Sequence, residues 1–178
     1  MKKIINYEEF IVEPGTTYWD FILQELYADC NYKVEVDFIG HTTKGGILIG
    51  GNSSKAALLP EEFLGYACLI DENCKKVILG CYNKAGRFDG NIATSDDVFM
   101  ASDIHLSVEV NGNELTYRVT SIDGLTQYYV VNYTIGTSER DIYDEFCGKI
   151  GIYNSQEETG FFENLKITVY KDDITVEA

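Results

Sequence analysis

Two carboxylates come nearest to a catalytic pair in this chain. Glu35 and Asp37 lie in Tyr32-Lys-Val-Glu-Val-Asp-Phe38, where apolar and charged residues alternate. A period of two marks a strand, so both carboxylates project from one face, about 7 Å apart. An inverting glycoside hydrolase needs about that separation between its acid and its base, and a retaining one needs slightly less. Two surface carboxylates on a solvated strand would give the same pattern with no chemistry.

A second group offers binding rather than bond cleavage. Asp103, His105, Arg118, Gln127 and Tyr129 supply acceptors, forked donors and an aromatic ring. Sugars are held by that combination, a ring to stack on and polar forks for hydroxyls. Tyr82, which ends a strand expected at 76–82, and Arg87 beyond it add a further ring and fork. These seven residues are the expected ligand-binding set.

Their convergence depends on residues 103–133. Asn111-Gly112 and Asp123-Gly124 tolerate positive φ and signal hairpin turns. Two-residue loops there place Ile104 opposite Val119, Leu106 opposite Tyr117 and Val108 opposite Leu115. They also place Val119 opposite Tyr128 and Tyr117 opposite Val130. Both registers gather apolar residues on one face, an agreement that a one-residue slip would destroy. The opposite face then carries His105, Arg118 and Tyr129 in one row. Adjacent rows hold Asp103, Thr120 and Gln127, then Ser107, Thr116 and Val131. A solvated polar face with ordinary cross-strand pairs is the plainer account of the same pattern.

Other chemical signals are thin. Gly45-Gly46 and Gly50-Gly51-Asn52 lack the lysine and following helix of a phosphate loop and mark a bulge or strand ends instead. Asp71, Glu72 and Asn73 carry calcium-type oxygens but fit turn chemistry equally well. No Gly-x-Ser-x-Gly elbow accompanies the serines, and His41 and His105 read as incidental to catalysis. Of five cysteines, Cys30, Cys68, Cys74, Cys81 and Cys147, none forms a Cys-x-x-Cys pair, so no zinc site is expected. Cys68 and Cys81 flank a turn at 71–76 and are read as buried, reduced thiols, with a disulfide as the alternative. No cofactor is expected, and calcium is not indicated.

The elements that must position these groups are strands. The chain has 178 residues, 45% of them apolar and 13% aromatic, mostly tyrosine, which suits pleated, half-buried surfaces and one core. Further strands are expected at 46–50, 64–70, 76–82, 148–154 and 161–171, the last with Leu165, Ile167 and Val169 inward. One short helix is expected at most, near 19–27, where Trp19 would serve as a buried anchor. A formal charge of −15 disfavours nucleic acid and anionic membrane surfaces as partners, whereas a neutral sugar meets no such repulsion. Met-Lys-Lys opens the chain as a signal peptide would, but Asn6, Glu8 and Glu9 interrupt any apolar run. The chain is thus expected to be cytoplasmic if complete, or extracellular if it is a domain cut from an exported protein.

Gly148-Lys-Ile-Gly-Ile-Tyr153, followed by Gly160-Phe-Phe-Glu-Asn-Leu-Lys-Ile-Thr-Val169, resembles the ending of concanavalin-like lectin/glucanase sandwiches. That ending is a Gly-x-hydrophobic-Gly strand, a loop, Phe-Asp-Asn and a last alternating strand, with Glu163 here in place of Asp. Gly46-Ile-Leu-Ile49, Gly65-Tyr-Ala-Cys-Leu-Ile-Asp71 and the 104–119 hairpin follow in the order the family uses. The resemblance covers roughly residues 30–170 and implies a two-sheet antiparallel jelly roll, and the length fits one all-β domain over 1–178. Glucanases of this type carry Glu-x-Asp-x-x-Glu on a strand, and here the third carboxylate is replaced by Gly40. The expected function is therefore a non-catalytic carbohydrate-binding module for a neutral glycan, an accessory domain fused to or associated with a hydrolase. The alternatives are a glycoside hydrolase using Glu35 and Asp37, or a structural, protein-binding sandwich without a small ligand.

Overall fold

The computed structural model describes residues 2–7, 17–20, 31–40, 44–51, 63, 65–71, 75–82, 90–134, 146, 148–155 and 161–170. These form β1 (Lys2–Tyr7), β2 (Thr17–Asp20), β3 (Asn31–Ile39), β4 (Gly45–Gly51), β5 (Tyr66–Ile70) and β6 (Val77–Cys81). They continue with β7 (Gly90–Thr94), β8 (Ile104–Asn111), β9 (Glu114–Ser121), β10 (Gln127–Thr134), β11 (Lys149–Asn154) and β12 (Phe161–Tyr170). Two six-stranded sheets result, in the orders β1-β12-β3-β8-β9-β10 and β2-β11-β4-β5-β6-β7, with every pairing antiparallel. The all-β, two-sheet architecture agrees with the alternation in the sequence. Trp19 and Asp20 belong to β2, paired with β11, rather than to a helix, and residues 21–27 lie outside the described residues.

The alternation assigns the core. Tyr32, Val34, Val36 and Phe38 of β3 point inward with Ile104, Leu106, Val108 and Val110 of β8 and with Leu115, Tyr117 and Val119 of β9. Leu165, Ile167 and Val169 join them from β12, as the sequence indicates. The second sheet contributes Ile47, Ile49, Tyr66, Cys68, Ile70, Val77, Leu79, Ile150 and Ile152. β4, β5 and β11 are apolar on both faces because Leu48, Ala67, Leu69 and Tyr153 form a second buried cluster on the far side, under Phe63. The glycines of β4 permit this crowding: a Cβ on Gly46 would stand 2.1 Å from the carbonyl oxygen of Cys68.

Two registers differ from the sequence reading. The β8–β9 loop is Gly112-Asn113, with Asn111 opposite Glu114, Ile104 opposite Ser121 and Leu106 opposite Val119. Gly112, at φ 60°, is the turn residue with positive φ, so the turn is the glycine-first type rather than one centred on Asn111-Gly112. The shift is an even number of residues, so the apolar face is unchanged.

The second difference changes faces. Ser121 and Thr126 close the β9–β10 loop through a 2.8 Å backbone bond, and Gln127 pairs with Thr120. A bulge between Gln127 and Tyr129 then shifts the register, so that Tyr129 pairs with Val119, Val130 with Arg118 and Val131 with Tyr117. An extra residue in one strand reverses the facing of everything after it. Tyr129 therefore packs against the core, Val131 is buried, and Val130 takes the outward position.

Candidate functional site

The outer face of the first sheet collects charges that are distant in sequence. β3 lies between β12 and β8, so Asp37 is opposite His105 on one side and Glu163 on the other. One row reads Asp37, His105, Thr120 and Gln127, and the next reads Lys166, Glu35, Ser107, Arg118 and Val130. His105 stands between two carboxylates, with Nδ1 2.7 Å from Asp37 Oδ1 and Nε2 3.4 Å from Glu35 Oε1. Lys33 Nζ lies 3.3 Å from the same Glu35 oxygen. Asn164 Nδ2 donates to the other Asp37 oxygen at 3.0 Å.

These contacts set the charge states. The Asp37 and Glu35 hydrogen bonds raise the His105 pKa to about 9, against the opposing effect of burial. The bond to His105 lowers Glu35 to about 2, with Lys33 assisting and burial opposing. Burial pushes the Asp37 carboxyl up, but the hydrogen bonds from His105 and Asn164 together outweigh it and hold the group below its ordinary value. At neutral pH His105 is positive, and Glu35 and Asp37 are negative. Both imidazole nitrogens are engaged by carboxylates, and among the described residues no three His, Cys, Asp or Glu side chains are grouped to hold a metal ion.

The expected binding residues divide. His105, Arg118 and Gln127 share the outer face, although His105 and Arg118 occupy adjacent rows rather than one. Neither Arg118 nor Gln127 makes a side-chain hydrogen bond or ion pair among the described residues. Asp103 lies at the end of that face, where Oδ1 accepts the Gly40 N–H at 2.9 Å. Tyr129 is turned to the core by the bulge, so the ring expected in the middle of the row is replaced by Val130. Tyr82 packs on the far face of the second sheet and cannot share a ligand with Arg118. Arg87 and His41 lie outside the described residues. Asp71 is occupied by turn bonds, its Oδ1 accepting the Lys75 and Lys76 N–H groups at 3.1 and 3.3 Å.

Asn164 and Lys33 were not singled out by the sequence reading. Asn164 sits in the bulge of β12 at φ 55°, the only non-glycine residue with positive φ among those described. Its place in Phe-Glu-Asn was the available signal. Nothing local pairs it with Asp37, 127 positions away.

No protein-family model matches the chain, and no curated protein matches it. Solved structures do. Winged bean acidic lectin, complexed with methyl-α-D-galactose, superposes with a TM-score of 0.59 at 8% identity, covering 97% of this chain and all of the lectin chain. The exoplasmic/lumenal domain of VIP36 in a Ca2+/Man-bound form gives 0.57 at 12% identity, covering 97% and 83%. The CBM2 module of the evolved Dit of Lactobacillus casei BL23 phage J-1 gives 0.57 at 9% identity, covering 92% and 76%. The chain has the concanavalin-like, carbohydrate-binding-module-like sandwich fold.

Proposed function

We propose that the chain is a non-catalytic, lectin-type module that takes a neutral glycan on the outer face of its first sheet. One observation carries this reading: Arg118 and Gln127, diagonal neighbours on β9 and β10, present forked polar groups without partners among the described residues. They stand beside Glu35, Asp37 and His105, whose positions and charges are fixed by one another. Arg118 and Gln127 can bond to hydroxyls without first breaking internal bonds. The likeness to sugar-bound lectin structures supports the same class of ligand.

The charge states support binding over hydrolysis. Glycoside hydrolysis needs one carboxyl that stays protonated near neutral pH. Both carboxylates here have lowered pKa values and hold a cation between them. The fitting role is an accessory one, keeping a fused or associated hydrolase on its polymer. The test is a glycan array with the purified chain, run with calcium and with chelator, for wild type and an Arg118→Ala/Gln127→Ala double variant. Binding of a neutral glycan in both buffers, weakened at least about tenfold in the double variant, is expected. Equal binding by the two proteins would reject the site, and a blank wild-type array would reject the glycan reading.

A further inference from the structure

The same outer face carries a cleft at its other end. It is lined by Asn31, Glu109, Val110, Asn111 and Tyr170 and has a volume of about 170 Å³. Tyr170, Asn31 and Asn111 are directly opposite one another on β12, β3 and β8, and Glu109 is one step along β8. Asn31 Oδ1 is spent on the Gly112 N–H at 2.9 Å, which ties that side chain to the β8–β9 turn. Its NH2 group, the Glu109 carboxylate and the Asn111 carboxamide have no hydrogen-bond partner among the described residues. Among the described residues Glu109 also makes no ion pair, and Lys33, its cross-strand neighbour, pairs with Glu35. Tyr170 supplies an aromatic ring that is 39% exposed.

We infer that this cleft is a second sugar subsite, in which one pyranose ring lies against Tyr170 and hydrogen-bonds to Asn31, Glu109 and Asn111. The inference rests on the glycan reading above and adds the length of the ligand. Rings stack on exposed aromatics, and an amide–carboxylate–amide set matches alternating hydroxyl donors and acceptors. Asn31 and Asp37 are six residues apart on one face of β3, so about 20 Å separates the cleft from the His105 row. A single sugar cannot span that distance. An oligosaccharide running along β3 and β8 can, and joining two weak sites on one chain raises affinity without new contacts.

The experiment uses the full chain and an array of neutral glucose, mannose, galactose and xylose homo-oligosaccharides of one to six residues. Wild type is compared with Glu109→Ala/Asn111→Ala, with Tyr170→Leu, and with the Arg118→Ala/Gln127→Ala variant, each shown to be folded by thermal melting. Wild type should gain about tenfold or more in affinity between the shortest and longest members of the series it binds. Both cleft variants should keep the affinity for the shortest binder and lose that gain. Cleft variants that match wild type at every length overturn the subsite and leave the glycan reading standing. A wild type that binds no member overturns both.

Discussion

His105 and Asp37 face each other across β3 and β8 with Nδ1 2.7 Å from Oδ1, while Glu35 Oε1 lies 3.4 Å from Nε2 on the opposite side of the ring. Both nitrogens donate only when the imidazole is protonated, so the arrangement binds a proton that the unfolded chain releases more easily. The His105 pKa rises from 6.5 to about 9. Its stabilising contribution is therefore complete below pH 6.5 and is lost as pH climbs through about 9. Glu35, lowered from 4.5 to about 2, contributes fully above pH 4.5 and loses its share as pH falls toward 2. The same contacts underlie both shifts, so one energy is involved, roughly 2 kcal/mol for this half-buried cluster. Urea unfolding of wild type and His105→Gln should differ most between pH 5 and 6.5 and converge by about pH 10. A difference that stays constant with pH would rule out a protonated His105.

Asn164 does two jobs, and substitutions can separate them. Its φ of 55° is costly for residues with a Cβ other than Asn or Asp, and its carboxamide supports the Asp37 carboxylate. Asn164→Gly keeps the backbone conformation and removes only the hydrogen bond. Asn164→Ala removes both and should be less stable than the glycine variant by about 1 kcal/mol. In both variants the Asp37 pKa should rise, because a lowering influence is gone. Carboxyl-carbon NMR titration measures that shift, and an unmoved Asp37 would show that Asn164 has no hold on the site.

Tyr32 and Tyr117 are both fully buried but differ in one bond. The Tyr32 hydroxyl donates to the Phe146 carbonyl at 2.5 Å, whereas the Tyr117 hydroxyl has no partner among the described residues. Burial raises both phenol pKa values, with Cys68 nearby adding to the effect. An unpaired buried hydroxyl costs about 1–3 kcal/mol, so Tyr117→Phe should stabilise, raising Tm by a few degrees. Tyr32→Phe should lower stability by about 1 kcal/mol or more, because it orphans a carbonyl. Melting curves that move the same way for both variants would contradict this difference.

The strands were legible where burial imposes alternation. β3, β8, β9 and β12 read directly, because each has one core face and one polar face. β1, β2 and β7 were missed, and in β7 the reason is visible: its burial pattern is mostly exposed, so no alternation marks it. Tyr129 failed for a different reason. A bulge is one residue with no distinctive type, yet it reverses the facing of Tyr129 and Val131. Turn spacing marks His105 by its row on β8 and β9, and alternation marks Glu35 and Asp37 by their spacing on β3. Their junction depends on β3 pairing with β8 across 68 residues, which no local pattern encodes. The cleft at Tyr170 escaped notice for the same reason, since its residues come from three strands.

Cys68 and Cys81 test the core from inside. Both are buried thiols on the inner face of the second sheet, and Cys68 pairs with Leu79, two residues from Cys81. Burial pushes the Cys68 thiol far above its ordinary pKa. The thiolate is the form that reacts, so alkylation in the folded chain must wait for unfolding. With iodoacetamide at pH 8, peptide mass spectrometry should find both residues at least about a thousandfold slower than in urea, a factor set by the small unfolded fraction. In urea without reductant both should label fully. Failure to label there would mean that the two form a disulfide. Rapid labelling in buffer would mean that the second sheet opens, and the packing of Ile47, Tyr66 and Leu79 around these thiols would need revision.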